Sequence, residues 1–107
     1  MISKEEYLKN YHEMEWIEAK GYPEGTKIKV LREEKSARTF LLKIPAGFDM
    51  EAHSHMATEQ HFVLEGQYES EGNKYEEGTY RLIPKGIDHG PFTSEQGSII
   101  LVIWEPL

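Results

Sequence analysis

The sequence predicts an all-β fold, a small jelly-roll β-barrel preceded by one short N-terminal helix. Three observations carry this. After Trp16 the chain consists of short apolar or alternating runs, separated at close intervals by Gly, Pro, Asn and Glu. Between those runs there is no helix pattern of the kind that parallel βαβ units require, so the strands are expected to pair antiparallel. With 107 residues the chain has material for one core, which two packed sheets enclose while leaving few open edges.

Element by element, the N-terminal stretch is the one good helix candidate. Ser3 reads as the N-cap, with Glu6 returning a bond to its backbone in a capping box. Tyr7, Leu8, Tyr11 and Met14 then recur at spacings of three and four, which predicts a helix over about residues 4–13. A helix this short is marginal alone, so it is expected to pack on the body of the protein or on another subunit. Strands are predicted near 27–32, 38–45, 50–56, 59–65, 67–70, 74–76, 79–83, 88–93 and 98–104. Gly21, Pro23 and Gly25 punctuate the first gap, and Pro45-Ala46-Gly47 and Pro84-Lys85-Gly86 make sharp turns. Glu71-Gly72-Asn73 reads as a hairpin tip.

Composition removes several classes of function. There are 19 acidic against 12 basic residues, a formal charge of −7, and no basic block, so no nucleic-acid partner is expected. The longest apolar run, Ile99 to Trp104, is six residues, whereas a membrane helix needs ~20. The start, MISKEEYLKN, is too charged for a secretory leader, so a soluble cytoplasmic protein is expected. Cysteine is absent, which excludes disulfides, thiolate metal sites and thiol nucleophiles. Any metal must be held chiefly by His, Asp or Glu.

Three of the five histidines, His53, His55 and His61, fall within nine residues alongside Glu59, in AHSHMATEQHF. Residues two apart in a strand share a face, so His53 and His55 project side by side. Two inward imidazoles are costly to bury unless each nitrogen finds a partner, and a divalent metal satisfies both. Glu59, past a short turn, is placed to add an oxygen donor, and His89, after the Pro84–Gly86 turn, to complete the set. Such a nitrogen-and-oxygen site suits Fe, Mn, Ni, Cu or Zn as divalent ions, without choosing among them. A lone His-x-His pair is more often surface polarity, and what distinguishes this one is the spacing of glycine and proline around it. His12, in the predicted helix, is expected to be exposed.

That spacing resembles a known family. Gly47, His53, His55, Glu59 and Gly66 stand at every position of the first cupin motif. Gly78, Pro84, Gly86 and His89 match the second, which departs only where Thr93 stands for the usual Asn. The run TEQHFVLEGQYESEGNKYEEGTYRLIPKGIDHGPFTSEQG is similar to the ChrR-type branch, which includes cupin domains of anti-sigma factors and iron dioxygenases of β-diketones. The resemblance implies a single cupin domain over 1–107, with a helical arm over 1–15 and a barrel over about 26–104. It implies His53, His55, Glu59 and His89 as metal ligands, and a homodimer using SIILVIW and the N-terminal helix. The cysteine-containing zinc domain of the regulators is not in this sequence, so their role is not carried over. The resemblance leaves the expectation of a metalloenzyme acting on a small oxygen-bearing substrate, with a non-catalytic binding or sensing cupin as the alternative.

By strand parity His61 is expected to face the cavity with Glu59, either as a wall histidine bonded to a backbone carbonyl or to orient the carboxylate, act as a base or take its place on the metal. Gln60 should face away and Val63 should continue the apolar lining. Met50 is expected near the cavity mouth, Phe48, Phe92, Ile99, Leu101 and Ile103 are candidate walls or ordinary core, and Lys43 is expected outside. Arg81 pairs in parity with Ile83; it is expected outward and solvated, or, if it faces in, as a holder of a substrate carboxylate.

Overall fold

The computed structural model describes residues 6, 8–35, 37–53 and 57–105. These residues form nine strands: β1 (Ile17–Glu18), β2 (Lys27–Glu34), β3 (Ala37–Ile44), β4 (Phe48–Met50), β5 (Thr58–Ser70), β6 (Asn73–Glu76), β7 (Tyr80–Ile83), β8 (Phe92–Ser94) and β9 (Ser98–Glu105). They pair antiparallel in the order β1-β2-β3-β9-β5-β8-β4, with β6 and β7 also on β5, a curled all-β barrel of jelly-roll type. The core is the inner face: Phe40, Leu42 and Ile44 of β3, Val63 and Tyr68 of β5, Ile100 and Val102 of β9, and Phe92. Lys43 is exposed, as its alternation predicts.

β5 organises the barrel. Its first half lies between β7 and β9, and its second half pairs with β6 and β8. A bulge between Val63 and Glu65 lets one strand serve both sheets. The sequence predicts two strands, 59–65 and 67–70, because Gly66 reads as a break. Instead Gly66 sits in a continuous strand at φ 70°, where a Cβ would lie 2.3 Å from the Gly97 carbonyl oxygen. At the far end of β5, Glu71 (φ 53°) and Gly72 (φ 81°) make the two-residue turn of the expected hairpin. Positive φ at both positions is the type I′ turn whose twist suits a hairpin.

The predicted helix over residues 4–13 does not form within the described residues. A three-residue 3-10 turn, Tyr11–Glu13, is all that is helical there, and Ser3 and Tyr7 lie outside the described residues. Among its described apolar positions Leu8 is 84% and Tyr11 37% exposed, so the face gains little burial. Without burial the cost of nucleating so short a helix is not offset. The Asn10 side chain instead accepts the His12 N–H, and Met14 returns to extended backbone. The segment is tied to the barrel through a buried lysine of β2. Lys29 donates from Nζ to the Tyr11 carbonyl at 2.6 Å and lies 4.5 Å from the Trp16 ring centroid.

Candidate functional site

Two histidines distant in sequence are brought together by main-chain pairing. β4 and β8 pair at Met50 and Phe92, and three residues after β4 and before β8 the register resumes as an isolated bridge between His53 and His89. Their backbones exchange hydrogen bonds of 2.9 and 2.8 Å, and the two rings stand 4.6 Å apart, edge to face. Each ring has its Nδ1 against the carbonyl two residues before it, His53 on Glu51 at 3.2 Å and His89 on Ile87 at 3.3 Å. A carbonyl only accepts, so each ring donates from Nδ1, which makes Nε2 the nitrogen that carries the lone pair in the neutral ring.

Glu59 and His61 follow at two-residue spacing on β5, and both side chains point inward as parity predicts, each 5% exposed. His61 Nε2 is hydrogen-bonded to Glu59 Oε2, and its Nδ1 lies 2.7 Å from the Tyr68 hydroxyl. Gln60 faces outward, where it accepts from the Tyr80 hydroxyl at 2.6 Å. His53, Glu59 and His61 line a pocket of about 420 Å³, counted with its open mouth. Its walls are largely apolar, with Leu42, Ile44, Phe48, Met50, Phe92, Ile100 and Val102 among them. Walls of this composition suit a small, mostly apolar molecule with a few polar atoms.

The structure corrects two expectations here. Ile99, Leu101 and Ile103 are not the walls contributed by β9; Ile100 and Val102 are. In an unbroken apolar run, parity is set by the partner strand, and β5 aligns His61 with Val102 and Val63 with Ile100. Arg81 is turned inward rather than solvated, its side chain 11% exposed. Its guanidinium lies over the Tyr75 ring at 4.4 Å, faces Glu71 Oε2 at 3.6 Å and reaches the Tyr68 hydroxyl at 3.4 Å. An aromatic face, a carboxylate and a hydroxyl replace the water an arginine gives up on burial.

His55 lies outside the described residues. Among the described residues no three His, Asp or Glu side chains form a group that could hold a metal ion. What stands assembled is the His53–His89 pair and the Glu59–His61 pair.

Two residues of the site escaped the sequence reading, Tyr22 from the loop before β2 and Tyr68. Burial pushes the hydroxyls of both up to about 12, helped at Tyr22 by the negative charge of Glu59 and opposed at Tyr68 by Arg81. Because the neutral phenol is the favoured form, the stability tied to it is complete below the ordinary value of 10 and is lost as pH rises through about 12. In a spectrophotometric titration these two of the six tyrosines should stay protonated at about pH 11. In Tyr68→Phe one such late titration should disappear.

The family model described as ChrR Cupin-like domain matches residues 4–107. Among solved structures, the Rhodobacter sphaeroides SigE complex with the anti-sigma ChrR matches with a TM-score of 0.73 at 22% identity, covering 91% of this chain and 52% of the matched one. This chain thus spans about half the length of that relative. An acetylacetone dioxygenase from Acinetobacter johnsonii matches at 0.79 and 20% identity, covering 98% and 76% of the two chains. KdgF from a Halomonas species matches at 0.80 and 18% identity, covering 96% of each. No curated protein matches significantly. The solved structures share the barrel, and with the family match running through both histidine motifs, the chain belongs to the ChrR cupin-like family.

Proposed function

We propose that this chain is a small cytoplasmic metal-binding cupin, an enzyme acting on a small enolisable oxygen compound of the β-diketone or hydroxyketone class. The observation that carries it is the matched tautomer of His53 and His89, both anchored at Nδ1 by a main-chain carbonyl with Nε2 turned to the lone-pair role. Imidazoles that ligate a metal are oriented in this way by a partner on the other nitrogen. The donor set of His53, His55, Glu59 and His89 fits a divalent Fe, Mn, Ni, Zn or Cu ion. Bound there, such an ion supplies Lewis acidity toward an enolisable substrate and, as Fe(II), the redox chemistry of O2.

The chain's own residues do the rest. Leu42, Phe48, Ile100 and Val102 hold the carbon skeleton and keep water out. Tyr22, protonated throughout the physiological range, donates a hydrogen bond to a substrate oxygen. His61 holds Glu59 by one carboxylate oxygen. The substrate class is suggested by the acetylacetone dioxygenase among the similar structures. A second reading keeps the same apolar pocket as a metal-dependent binding or sensing module that holds a ligand without turning it over.

Protein purified with its native metal should carry about an equivalent of ion, removable by chelation and restored by reloading. Iron-loaded protein should consume O2 with β-diketones or flavonol-like compounds. No turnover across that panel with iron fully loaded removes the dioxygenase reading, and saturable binding without product selects the second one.

A second copy of this chain is proposed to cover the outer face of β5, β7 and β9. There Phe62, Tyr80 and Leu82 are 41%, 47% and 55% exposed beside Leu101 and Ile103. A contiguous apolar patch of this kind marks an interface. The protein should sediment as a dimer at micromolar concentration and Leu82→Glu as a monomer. A monomeric wild type contradicts this.

A further inference from the structure

We propose that Arg81, acting through Tyr68, sets the tautomer of His61 opposite to that of His53 and His89 and so directs the His61 Nε2–H onto Glu59. Arg81 and Tyr68 are then positioning residues for that carboxylate. The tautomer assignment stands on contacts within the chain alone, and only its consequence for an ion rests on the proposed metal-binding function.

The direction of each hydrogen bond is dictated by what its partner is able to do. A guanidinium has donors and no acceptor, so the 3.4 Å contact from Arg81 Nη1 makes the Tyr68 oxygen an acceptor. The hydroxyl proton of Tyr68 is therefore left for its other contact, His61 Nδ1 at 2.7 Å. A ring nitrogen that accepts carries no proton, so the neutral imidazole keeps its proton on Nε2, and Nε2 faces Glu59 Oε2. Protons thus point one way, from Arg81 to Tyr68 to His61 to Glu59.

The reverse order fails at the hydroxyl. It would leave the Tyr68 proton facing the guanidinium, which has no acceptor to receive it. Burial, which raises the Tyr68 hydroxyl to about 12, keeps it a hydroxyl able to donate.

The head of the relay is itself fixed. Arg81 is held by the Tyr75 ring at 4.4 Å and by Glu71 Oε2 at 3.6 Å. The other oxygen of Glu71 accepts the Gly90 N–H at 3.2 Å, next to His89. One hairpin carboxylate therefore anchors both the relay to Glu59 and the loop that carries His89.

The test is long-range proton–nitrogen NMR of the metal-free, 15N-labelled full chain. In the wild type, His53 and His89 should show Nδ1–H and His61 the opposite, Nε2–H with a bare Nδ1. Tyr68→Phe and Arg81→Met should turn the His61 signal into a tautomer mixture, and Arg81→Lys, which keeps charge and donors, should restore most of it. Nδ1–H at His61 in the wild type overturns the proposal, and so does an unchanged His61 signal in a folded Tyr68→Phe. The wild-type spectrum decides the assignment even where a variant does not fold. Zinc(II) calorimetry separates the two readings. Tyr68→Phe should bind more weakly than wild type but by less than the about 10–100-fold that losing a ligand's own partner costs, since His61 stays beside Glu59. A wild type that takes up no zinc while showing Nε2–H at His61 ends the metal reading and leaves the relay in place.

Discussion

His89→Ala is expected to lose metal affinity by more than the roughly 10–100-fold that loss of a supporting partner costs, because it deletes a donor rather than its support. The loss should leave the barrel standing. His89 meets His53 through main-chain hydrogen bonds, which alanine also makes. What disappears is the ring against His53 and Phe92, at centroid distances of 4.6 and 5.3 Å. His53→Ala should behave alike, since its ring is anchored in the same way on Glu51. The check is calorimetric metal binding beside a thermal melt of the metal-free protein, where each variant should stay folded. Metal-loaded melts alone discriminate poorly, because any ion that binds the folded state raises them by mass action.

The largest loss of stability is expected from Gly66→Ala. An added Cβ would meet the Gly97 carbonyl oxygen at 2.3 Å and the Ser98 Cα at 3.0 Å, both backbone atoms of the β9 approach. Neither is able to step aside without breaking the β5–β9 pairing that includes Gly66 and Ser98. Left-handed φ adds about 1–2 kcal/mol for an L side chain, and overpacking about 1–3 more. At roughly 4–8 °C per kcal/mol for a domain of this size, the melting temperature should fall by at least about 8 °C. Gly72→Ala offers the comparison: it has a similar φ of 81° but open space around it, so only the backbone cost should appear.

Legibility in the sequence divides along physical lines. Turn chemistry and parity over short distances were readable: the Glu71-Gly72 hairpin, the shared inward face of Glu59, His61 and Val63, and the outward Gln60. The spacing of glycine, proline and histidine singled out His53 and His89, which an isolated bridge brings together beyond the ends of β4 and β8 rather than within the expected strands 50–56 and 88–93. Parity did not survive the bulge after Val63. Odd-numbered residues face inward before it, while Tyr68 and Ser70 are the buried ones after it. Tyr68 was therefore missed, though a buried tyrosine two residues beyond a motif glycine was available as a signal.

Elsewhere local pattern was overruled by packing. SIILVIW is apolar on both faces, so only its pairing with β5 tells Ile100 and Val102 from Ile99, Leu101 and Ile103. Arg81 is charged and so reads as outward, yet Tyr75, Glu71 and Tyr68 together supply what a buried guanidinium needs. Tyr22 comes from a loop, where no periodicity applies. The N-terminal segment has helical spacing but no surface to bury it against, and Lys29 fastens it in another conformation.

X-ray absorption at the edge of the bound metal in the reloaded wild-type protein probes the gathering of separated side chains around a single ion. Three imidazole rings and a carboxylate oxygen within about 2.0–2.3 Å of the metal, with imidazole scattering reduced in both His53→Ala and His89→Ala, is the predicted spectrum. A spectrum without imidazole scattering, or one that neither substitution changes, would place the ion elsewhere and leave the barrel without its chemistry.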